Sequence, residues 1–262
     1  MVGFDNIAQA YDDEFTNTVI AKFQRKIVWD YLAKNIESKS QLNILELNCG
    51  TAEDAIWFSS KGHKVLATDI SEKMIEVAKG KSFKHSNISY SVLDISNPKT
   101  YPENMKFDLV FSNFGGFNCI SPDEIQKVAP SLSKLLKPTG RFISVIMPKF
   151  CLWEFFYFIL KFKFKKGIRR TNSYPIDVKI GDNIIRTWYY SPSDFKRMTS
   201  NCFKVIKKRA VGFFLPPSYL NIYFEKHPNF LGVLNRLEKL LASLGFLSNL
   251  SDHFIIEMEV KS

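Results

Sequence analysis

Carboxylates and small residues are concentrated in one short segment that could bind a cation. The segment 46–54 reads ELNCGTAED and carries three acidic side chains. In a dinucleotide-binding turn of the pattern GxGxxG, a diphosphate lies at the helix N-terminus. Here the three glycine positions hold Asn48, Gly50 and Glu53, and a carboxylate at the third position disfavours a phosphorylated ligand. A ligand with a positively charged centre, such as a sulfonium, fits these residues better.

The surrounding pattern predicts which elements position this segment. Residues 42–71 read as an apolar strand, a small-residue turn, a helix, Gly62 and a second strand that ends at Asp69. Two strands joined by one helix form a right-handed βαβ unit, and ligands of such sheets bind outside the carboxyl ends of the strands. The turn 48–52 and Asp69 should therefore face one adenosine-type ligand.

At these residues the chain resembles the class I S-adenosylmethionine-dependent methyltransferases. The first motif of that family is written E/D-x-G-x-G-x-G, and its defined positions are occupied here by Glu46, Asn48, Gly50 and Ala52. Two of the three glycines are replaced, but Asn tolerates a positive φ and Ala adds one methyl group. We expect cofactor binding to survive, with Cys49 also among the cofactor contacts.

Two further motifs follow in the order that the family shows. TDIS resembles the ribose site, where Asp69 would accept both ribose hydroxyls and Ile70 or Met74 would pack on adenine. LDIS resembles the adenine site, where Asp94 would accept from the exocyclic amine beside the Ile95 backbone. Each motif alone could be a helix cap or a loop residue. Their order and separation are what predict the cofactor fold.

The resemblance continues through two more segments and covers residues 42–148. FDLVFSNFGGFN resembles the fourth strand and the loop beneath the transferred methyl, with Asn113 as a cofactor contact. LLKPTGRFISVIM resembles the following helix, turn and fifth strand. The resemblance also implies that the N-terminal segment closes over the cofactor, with Tyr11 near the methionine carboxylate.

The predicted fold is a single α/β domain, a doubly wound, Rossmann-like sheet of seven mainly parallel strands with an antiparallel last strand. It consists of an N-terminal helical cap at 1–40, a cofactor-binding core at 41–148 and two helical, aromatic lid insertions at 149–190 and 214–251. A capped helix at 191–200 and strands at 203–213 and 253–260 complete the sheet. Both insertions leave the sheet at its carboxyl edge, so both should roof the substrate pocket.

Aromatic residues in the two insertions predict the character of the acceptor. The insertions and their edges carry more aromatic side chains than a small lid needs, among them Trp153, Phe156, Tyr157, Phe213 and Phe214. Much of this set must pack the lid itself. The remainder favours an aromatic or lipid-like acceptor.

Methyl transfer from a sulfonium depends mainly on alignment and water exclusion, so no catalytic dyad need be visible. A hydroxyl acceptor would still benefit from a base, and His253 at the start of the last strand is the candidate. The alternative is a histidine that caps the strand end against the lid. Tyr189 and Tyr190 could orient the acceptor, or pack the lid. Carboxylates are absent at Ser112-Asn113, so we predict no metal.

A net charge of +10 raises the question of a nucleic-acid partner. Six positive charges lie in one run with Phe162 and Phe164, namely Lys161, Lys163, Lys165, Lys166, Arg169 and Arg170. The run could be a solvated lid surface, or it could bind an anionic substrate or an anionic membrane. Asn113 lacks the prolines of the N/D-P-P-Y/F pattern, which disfavours methylation of nucleic-acid bases.

The chain has four scattered cysteines and no CxxC or Cys/His spacing, and its start lacks a basic region followed by an apolar run. We therefore expect a reduced, cytoplasmic protein without an export signal or transmembrane helix. The predicted function is S-adenosylmethionine-dependent methylation of a small, hydrophobic or aromatic molecule, with oxygen favoured as the acceptor. A non-catalytic binding module and an RNA or tRNA methyltransferase are the alternatives, and the oligomeric state stays open.

Overall fold

The computed structural model describes residues 4–36, 40–180 and 183–261, and a seven-stranded sheet forms its centre. The strands are β1 (Asn43–Leu47), β2 (Lys64–Asp69), β3 (Ile88–Val92), β4 (Phe107–Ser112), β5 (Leu136–Ile146), β6 (Ile176–Ile180), β7 (Asn183–Thr187), β8 (Phe203–Val211) and β9 (His253–Val260). The sheet order is β3-β2-β1-β4-β5-β9-β8, and β9 runs antiparallel to both of its neighbours. The predicted Rossmann-like fold with an antiparallel last strand is confirmed.

Helices cover both faces of the sheet. They are α1 (Val19–Ile36), α2 (Glu53–Ser60), α3 (Glu72–Lys81), α4 (Pro122–Leu135), α5 (Leu152–Leu160), α6 (Phe164–Gly167), α7 (Pro192–Thr199), α8 (Asn221–Phe224) and α9 (Pro228–Leu241). Alternate residues of β1 face opposite layers. Ile44 packs in one core with residues of α1 to α3, whereas Leu45 packs in a second core with residues of α4 and α7.

The order of the strands fixes where a ligand can bind. From β1 the chain moves outward through α2 and α3 to β2 and β3, and β4 then pairs with the opposite edge of β1. Open α/β sheets bind their ligands at such a reversal, outside the carboxyl ends of the strands. The turn that follows β1 lies at this point.

The two insertions contain α5, α6 and the β6-β7 hairpin in the first, and α8 and α9 in the second. The hairpin differs from the predicted helical insertion, and Val178 of β6 stands opposite Ile185 of β7. Its strand IDVKI alternates apolar and charged residues, a pattern typical of a half-buried strand. The first insertion is therefore partly a β-structure.

The helix predicted at 191–200 occurs as α7. Ser191 accepts a hydrogen bond from the Asp194 backbone, and the Asp194 carboxylate accepts one from the Ser191 backbone. This capping box fixes the start of the helix. Among the helices of the described segments, none combines the length and apolar character needed to cross a bilayer.

Candidate functional site

A cavity of about 620 Å³ opens at the carboxyl ends of the parallel strands. It is bounded by the sheet, by the N-terminal segment and by both insertions. The predicted site residues that line it are Tyr11, Asn48, Gly50, Asp69, Ile70, Met74, Asp94, Ile95, Tyr189 and His253. Three others, Glu46, Cys49 and Asn113, are buried beside it but do not form its wall.

The turn after β1 has a backbone that alternates into the left-handed region. Asn48, Gly50 and Ala52 have φ values of 50°, 51° and 68°. These are the three positions where the family motif has glycine. The Cys49 amide donates to the Thr68 carbonyl at 2.8 Å, which ties the turn to the end of β2. The turn thus keeps the backbone that glycines would favour, although two other residues form it.

The side chain of Asn48 joins the turn to the end of β4. Its Nδ2 donates to the Asn113 carbonyl at 2.7 Å, and its Oδ1 accepts from the Ser112 hydroxyl at 2.5 Å. A Cβ built on Gly116 would lie only 2.1 Å from Oδ1 of Asn48. Gly116 therefore leaves the room that the Asn48 amide occupies, which explains how the first glycine of the motif can be replaced.

Asp69 lies at the end of β2 with both carboxylate oxygens held by backbone amides. Oδ2 accepts from Gly50 N at 2.9 Å and Oδ1 accepts from Ser71 N at 3.0 Å. Burial raises the pKa of Asp69, although these amide hydrogens lower it. Each oxygen keeps a second lone pair for a ligand hydroxyl. The arrangement suits a ribose.

Asp94 lies farther along the same wall with apolar neighbours. Its Oδ1 accepts from the backbone and hydroxyl of Ser96 at 2.8 and 2.7 Å. Met74 is 1% exposed and Ile95 is 8% exposed, while Ile70 is 40% exposed at the edge of the cavity. An apolar slot with one carboxylate at its end matches the shape and polarity of adenine.

Glu46 carries a polar atom that the protein leaves unpaired. The residue is 1% exposed, and its Oε2 has no hydrogen-bond partner among the described residues. Burial raises the pKa of Glu46 well above its ordinary value, and the nearby Asp54 raises it further. An unpaired buried carboxyl oxygen is costly unless a donor reaches it. Glu46 does not line the cavity, so the fit of S-adenosylmethionine rests on the lining acceptors Asp69 and Asp94.

The remaining acids of the segment 46–54 do not surround the cavity. Asp54 is neutralised by Arg25 at 2.6 Å and also accepts from Trp29 at 2.7 Å. Glu53 lies 2.5 Å from the ammonium of Lys81. The carboxylates that disfavoured a phosphorylated ligand are therefore paired with cations of α1 and α3 and do not line the cavity.

Asn113 and Cys49 have structural contacts instead of cavity contacts. The Asn113 amide donates to Asp54 at 2.9 Å, and its carbonyl oxygen accepts from the backbone of Phe114 at 3.0 Å. Cys49 packs within the core, and burial raises the pKa of its thiol well above the ordinary value. Neither side chain reaches the cavity in this structure.

The N-terminal segment covers the cofactor end of the cavity. The Tyr11 ring lies next to the turn, and a Cβ on Gly50 would be 3.8 Å from it. Burial raises the pKa of Tyr11 to about 12, so the phenol stays protonated. Asp5 accepts from the Ser71 hydroxyl at 2.5 Å, which attaches the segment to the start of α3.

The rest of the wall combines apolar side chains with the cations Arg169, Arg170 and Lys179. The hairpin contributes Val178, Ile180 and Ile185 to the wall, and the second insertion contributes Tyr219. Met147, which follows β5, also lines this part of the wall. Both insertions therefore border the acceptor side.

The aromatic residues that predicted an aromatic acceptor are not the ones that line the cavity. Trp153 donates to the Phe214 carbonyl at 3.1 Å and packs on Phe224, while the Phe156 ring is 53% exposed. They stabilise the contact between the insertions or face outward. Helical periodicity indicates an apolar helix face but not which surface covers it.

His253 stands on the cavity wall between an acid and a ring. Its Nδ1 lies 3.2 Å from Oδ2 of Asp252, and its ring meets Phe114 edge to face at 5.1 Å. Burial raises the pKa of Asp252, but His253 and Arg170 outweigh burial and hold it well below the ordinary value. Nδ1 has no hydrogen-bond partner among the described residues, so the Asp252 carboxylate acts on the imidazole through its charge.

A buried ion network supports this wall, and sequence reasoning missed it. Arg170 lies 2.8 Å from Glu154 and 2.9 Å from Asp252, and all three residues are at most 5% exposed. Arg169 also pairs with Glu154, at 2.5 Å. These arginines belong to the basic run, so two of its six charges are neutralised inside the protein. The one available signal was Glu154, an isolated acid in an aromatic helix.

The two tyrosines before α7 have different surroundings. Tyr189 lines the cavity and its ring lies 5.1 Å from the Arg170 guanidinium. Burial raises its pKa, although Arg170 and Arg169 lower it. Tyr190 packs in the core and donates its hydroxyl to the Ile120 carbonyl at 2.5 Å. Of the pair, Tyr189 is the one that an acceptor could touch.

Comparison with known proteins identifies the domain. A family model described as a methyltransferase domain matches residues 44–140. Residues 44–140 are therefore a methyltransferase domain. The cofactor of the class I methyltransferases is S-adenosylmethionine, and the predicted resemblance is confirmed. A solved structure of an S-adenosylmethionine-dependent methyltransferase from Clostridium acetobutylicum has the same fold, with a TM-score of 0.58, 16% identity and 99% coverage of each chain.

Two curated relatives show similarity in this methyltransferase domain. A demethylmenaquinone methyltransferase from Staphylococcus saprophyticus is 34% identical over 53% of this chain and 58% of its own length. A malonyl-[acyl-carrier protein] O-methyltransferase from Acetivibrio thermocellus is 33% identical over 49% of this chain and 44% of its own length. The chain spans about half the length of these relatives.

Within the described residues, no group of three or more His, Cys, Asp or Glu side chains is arranged to hold a metal ion.

Proposed function

We propose that this protein transfers a methyl group from S-adenosylmethionine to a small apolar molecule, with an oxygen as the favoured acceptor. The observation that carries the proposal is one continuous cavity. Its wall combines the polar residues Asn48, Asp69 and Asp94 with apolar side chains of the hairpin, Val178, Ile180 and Ile185. The cofactor, when bound, supplies an electrophilic methyl group on a sulfonium.

The polar residues of the wall would hold the cofactor. Asp69 would accept the ribose hydroxyls, and Asp94 would accept from the adenine amine beside Met74 and Ile95. Glu46 lies buried behind this wall, and its unpaired Oε2 would accept from the cofactor ammonium only if the side chain turned toward the cavity. Because packing or hydrogen bonds already fix the lining side chains, they would lose little conformational entropy when the cofactor binds.

The acceptor end would align the substrate and exclude water. The apolar faces of the hairpin and Met147 favour an apolar body, and such alignment can remove about 7 to 11 kcal/mol of a barrier. Demethylmenaquinone, named in the relative from S. saprophyticus, is an acceptor with a suitably apolar body. The relative from A. thermocellus, an O-methyltransferase by name, supports an oxygen acceptor.

His253 would take the proton of an acceptor hydroxyl, and the charge of Asp252 would stabilise the protonated imidazole. This division suits the pair, because Asp252 stays ionised while His253 faces the cavity. A carbon acceptor that is already electron-rich would need less help from a base. The dependence on His253 therefore distinguishes oxygen from carbon transfer.

The test uses purified protein and S-adenosylmethionine with a labelled methyl group. We expect calorimetry to detect cofactor binding, and label to pass to apolar phenols or quinols rather than to RNA. If calorimetry detected no heat with S-adenosylmethionine, the proposed methyltransferase activity would be contradicted. Cofactor binding without methyl transfer to any acceptor would favour a non-catalytic module. Transfer to RNA alone would favour the nucleic-acid alternative.

A second measurement tests the base. His253→Gln should slow transfer to a hydroxyl by roughly a hundredfold while cofactor affinity is unchanged, because only proton removal is lost. His227→Gln, at an exposed histidine before α9, is the matched control. An unchanged rate in His253→Gln would exclude this residue as the base.

A further inference from the structure

A basic, apolar surface lies at the end of α5, across α6 and along α8. Leu160, Phe162 and Phe164 are 79%, 84% and 59% exposed. Ile222 and Tyr223 on α8 are 67% and 53% exposed. Large apolar side chains are seldom grouped in the open on a free protein surface. We infer that this surface, the docking surface, binds an anionic lipid bilayer.

The charge of the docking surface supports this partner. Lys161, Lys163, Lys165 and Lys166 are exposed, and none has a carboxylate within 4.0 Å among the described residues. The arginines of the same run pair with Glu154 and Asp252 instead. Four uncompensated cations therefore remain beside the apolar side chains. Anionic lipid attracts such lysines, and its acyl boundary accepts the apolar groups.

The backbone at Phe162 is strained in a way that projects its ring. Phe162 has a φ of 55°, a left-handed conformation that a bulky residue adopts only at a cost. The strained residue connects α5 to α6 and leaves the ring 84% exposed, 6.5 Å from the Phe164 ring. Two backbone hydrogen bonds, from Phe162 N to the Ile159 carbonyl at 2.9 Å and from Lys163 N to the Phe158 carbonyl at 2.8 Å, compensate this conformation and end α5. Insertion of both rings into the lipid interface would remove them from water.

Tyrosines connect the docking surface to the cavity. Lys161 donates to the Tyr157 hydroxyl at 2.7 Å, and the Tyr157 ring lies 6.4 Å from Tyr223 and 6.2 Å from Tyr219. Tyr219 lines the cavity. Tyrosine is the residue type that favours the boundary between lipid and water. A bilayer on this surface would adjoin the acceptor end.

The inference that the protein binds a bilayer rests on this surface alone. If the proposed function holds as well, an apolar acceptor would enter the cavity from the bilayer. A second copy of the chain is a poorer partner, since self-association would bring two sets of lysines together. RNA would pair with the lysines but would leave Leu160 and Ile222 in water.

The experiment is co-sedimentation of the full chain with lipid vesicles, without cofactor or acceptor, so that failure of the proposed function cannot affect it. We expect binding to vesicles that contain phosphatidylserine and much weaker binding to pure phosphatidylcholine. The combined variant Lys163→Gln, Lys165→Gln, Lys166→Gln should weaken binding at least about tenfold. The pair Phe162→Ser, Phe164→Ser should weaken it as well.

A matched control lies elsewhere on the protein. Phe83 is 77% exposed, with the Lys84 ammonium 5.4 Å from its ring. Phe83→Ser with Lys84→Gln should bind vesicles like the unchanged protein. Thermal unfolding of each variant shows that it is folded.

Four results would overturn the inference. They are absence of binding to anionic vesicles, equal losses in the control pair, unaltered binding in both docking-surface variants, and no preference for anionic over neutral lipid. Self-association that these variants abolish would identify a second copy as the partner if vesicles do not bind. Salt-dependent retention on RNA without vesicle binding would identify nucleic acid.

Discussion

Three residues of the turn after β1 show that the cofactor motif is a requirement on backbone conformation before it is a requirement for glycine. Asn48, Gly50 and Ala52 all have a positive φ, and two of them have side chains. The Asn48 amide is accommodated because Gly116 leaves it room. The sequence predicted that these substitutions would be tolerated, but the room for the Asn48 amide is left by Gly116, which lies 68 residues farther along the chain.

Ala52 offers a test of this view. Ala52→Val should destabilise the protein by about 2 kcal/mol or more, because a β-branched residue at a φ of 68° is strained in a fully buried site. Ala52→Gly relaxes the backbone and should change stability by less than about 1 kcal/mol. Urea unfolding of both variants gives the comparison. Equal losses would show that volume, not the left-handed backbone, limits this position.

Asp69 is the residue on which cofactor binding should depend most. Asp69→Asn keeps the volume but removes the charge that would accept two ribose hydroxyls. We expect affinity for S-adenosylmethionine to fall by roughly ten- to a hundredfold, since hydrogen bonds to charged groups contribute about 1.5 to 3 kcal/mol. Calorimetry measures the change, with the exposed Asp177→Asn as control. Unaltered affinity would place the ribose elsewhere.

At the scale of elements, the lids are attached by buried polar groups as well as by apolar packing. Glu238 of α9 is fully buried and accepts from the backbone amides of residues 212–215 at 2.6 to 3.3 Å. These amides follow β8 directly. One carboxylate thus fixes the second insertion to the sheet edge beside the cavity.

Removal of this acceptor should loosen the second lid. Glu238→Gln presents an NH₂ group to backbone donors, so we expect a loss of about 2 to 3 kcal/mol in the free energy of unfolding. Hydrogen exchange should accelerate at 212–215. Glu225→Gln, at an exposed glutamate after α8, should have little effect. Slow exchange at 212–215 in Glu238→Gln would show that other contacts hold the lid.

At the scale of the whole molecule, one buried ion network joins the lid, the sheet and the N-terminal helix. Asp252, at the start of β9, pairs with Arg170 of the first insertion at 2.9 Å and accepts from Gln24 of α1 at 3.3 Å. Arg170 pairs in turn with Glu154 of α5. Three distant parts of the chain are therefore held together by polar side chains that are at most 5% exposed.

This network should make stability depend on pH. The pKa of Asp252 is lower in the folded protein than in the unfolded chain, so its contribution is complete above about pH 4 and is lost as pH falls further. Asp252→Asn should cost about 3 kcal/mol at pH 7, because Arg170 loses a buried partner. Urea unfolding between neutral and acid pH should show that the difference in stability between the unchanged protein and Asp252→Asn becomes smaller. If this difference in stability did not change with pH, Asp252 would not be ionised in the folded protein.

The sequence predicted the first βαβ unit and the residues at the carboxyl ends of its strands, and the resemblance to the family implied seven strands with an antiparallel last strand. Apolar runs and their separations are local properties, and right-handed crossovers leave few topologies. Asp69, Asp94 and His253 could be placed at one edge for that reason. The exposed lysines of the basic run were likewise visible in the chain.

Only the tertiary structure decided which charges are neutralised and which aromatic side chains reach the cavity. Glu53 and Asp54 are paired with Lys81 and Arg25, and Arg170 of the basic run is buried against Asp252. Periodicity states that a helix has an apolar face, but the covering surface comes from remote segments. The partner of a buried charge also comes from a remote segment. Covering surfaces and charge partners are both determined by how the chain packs in three dimensions.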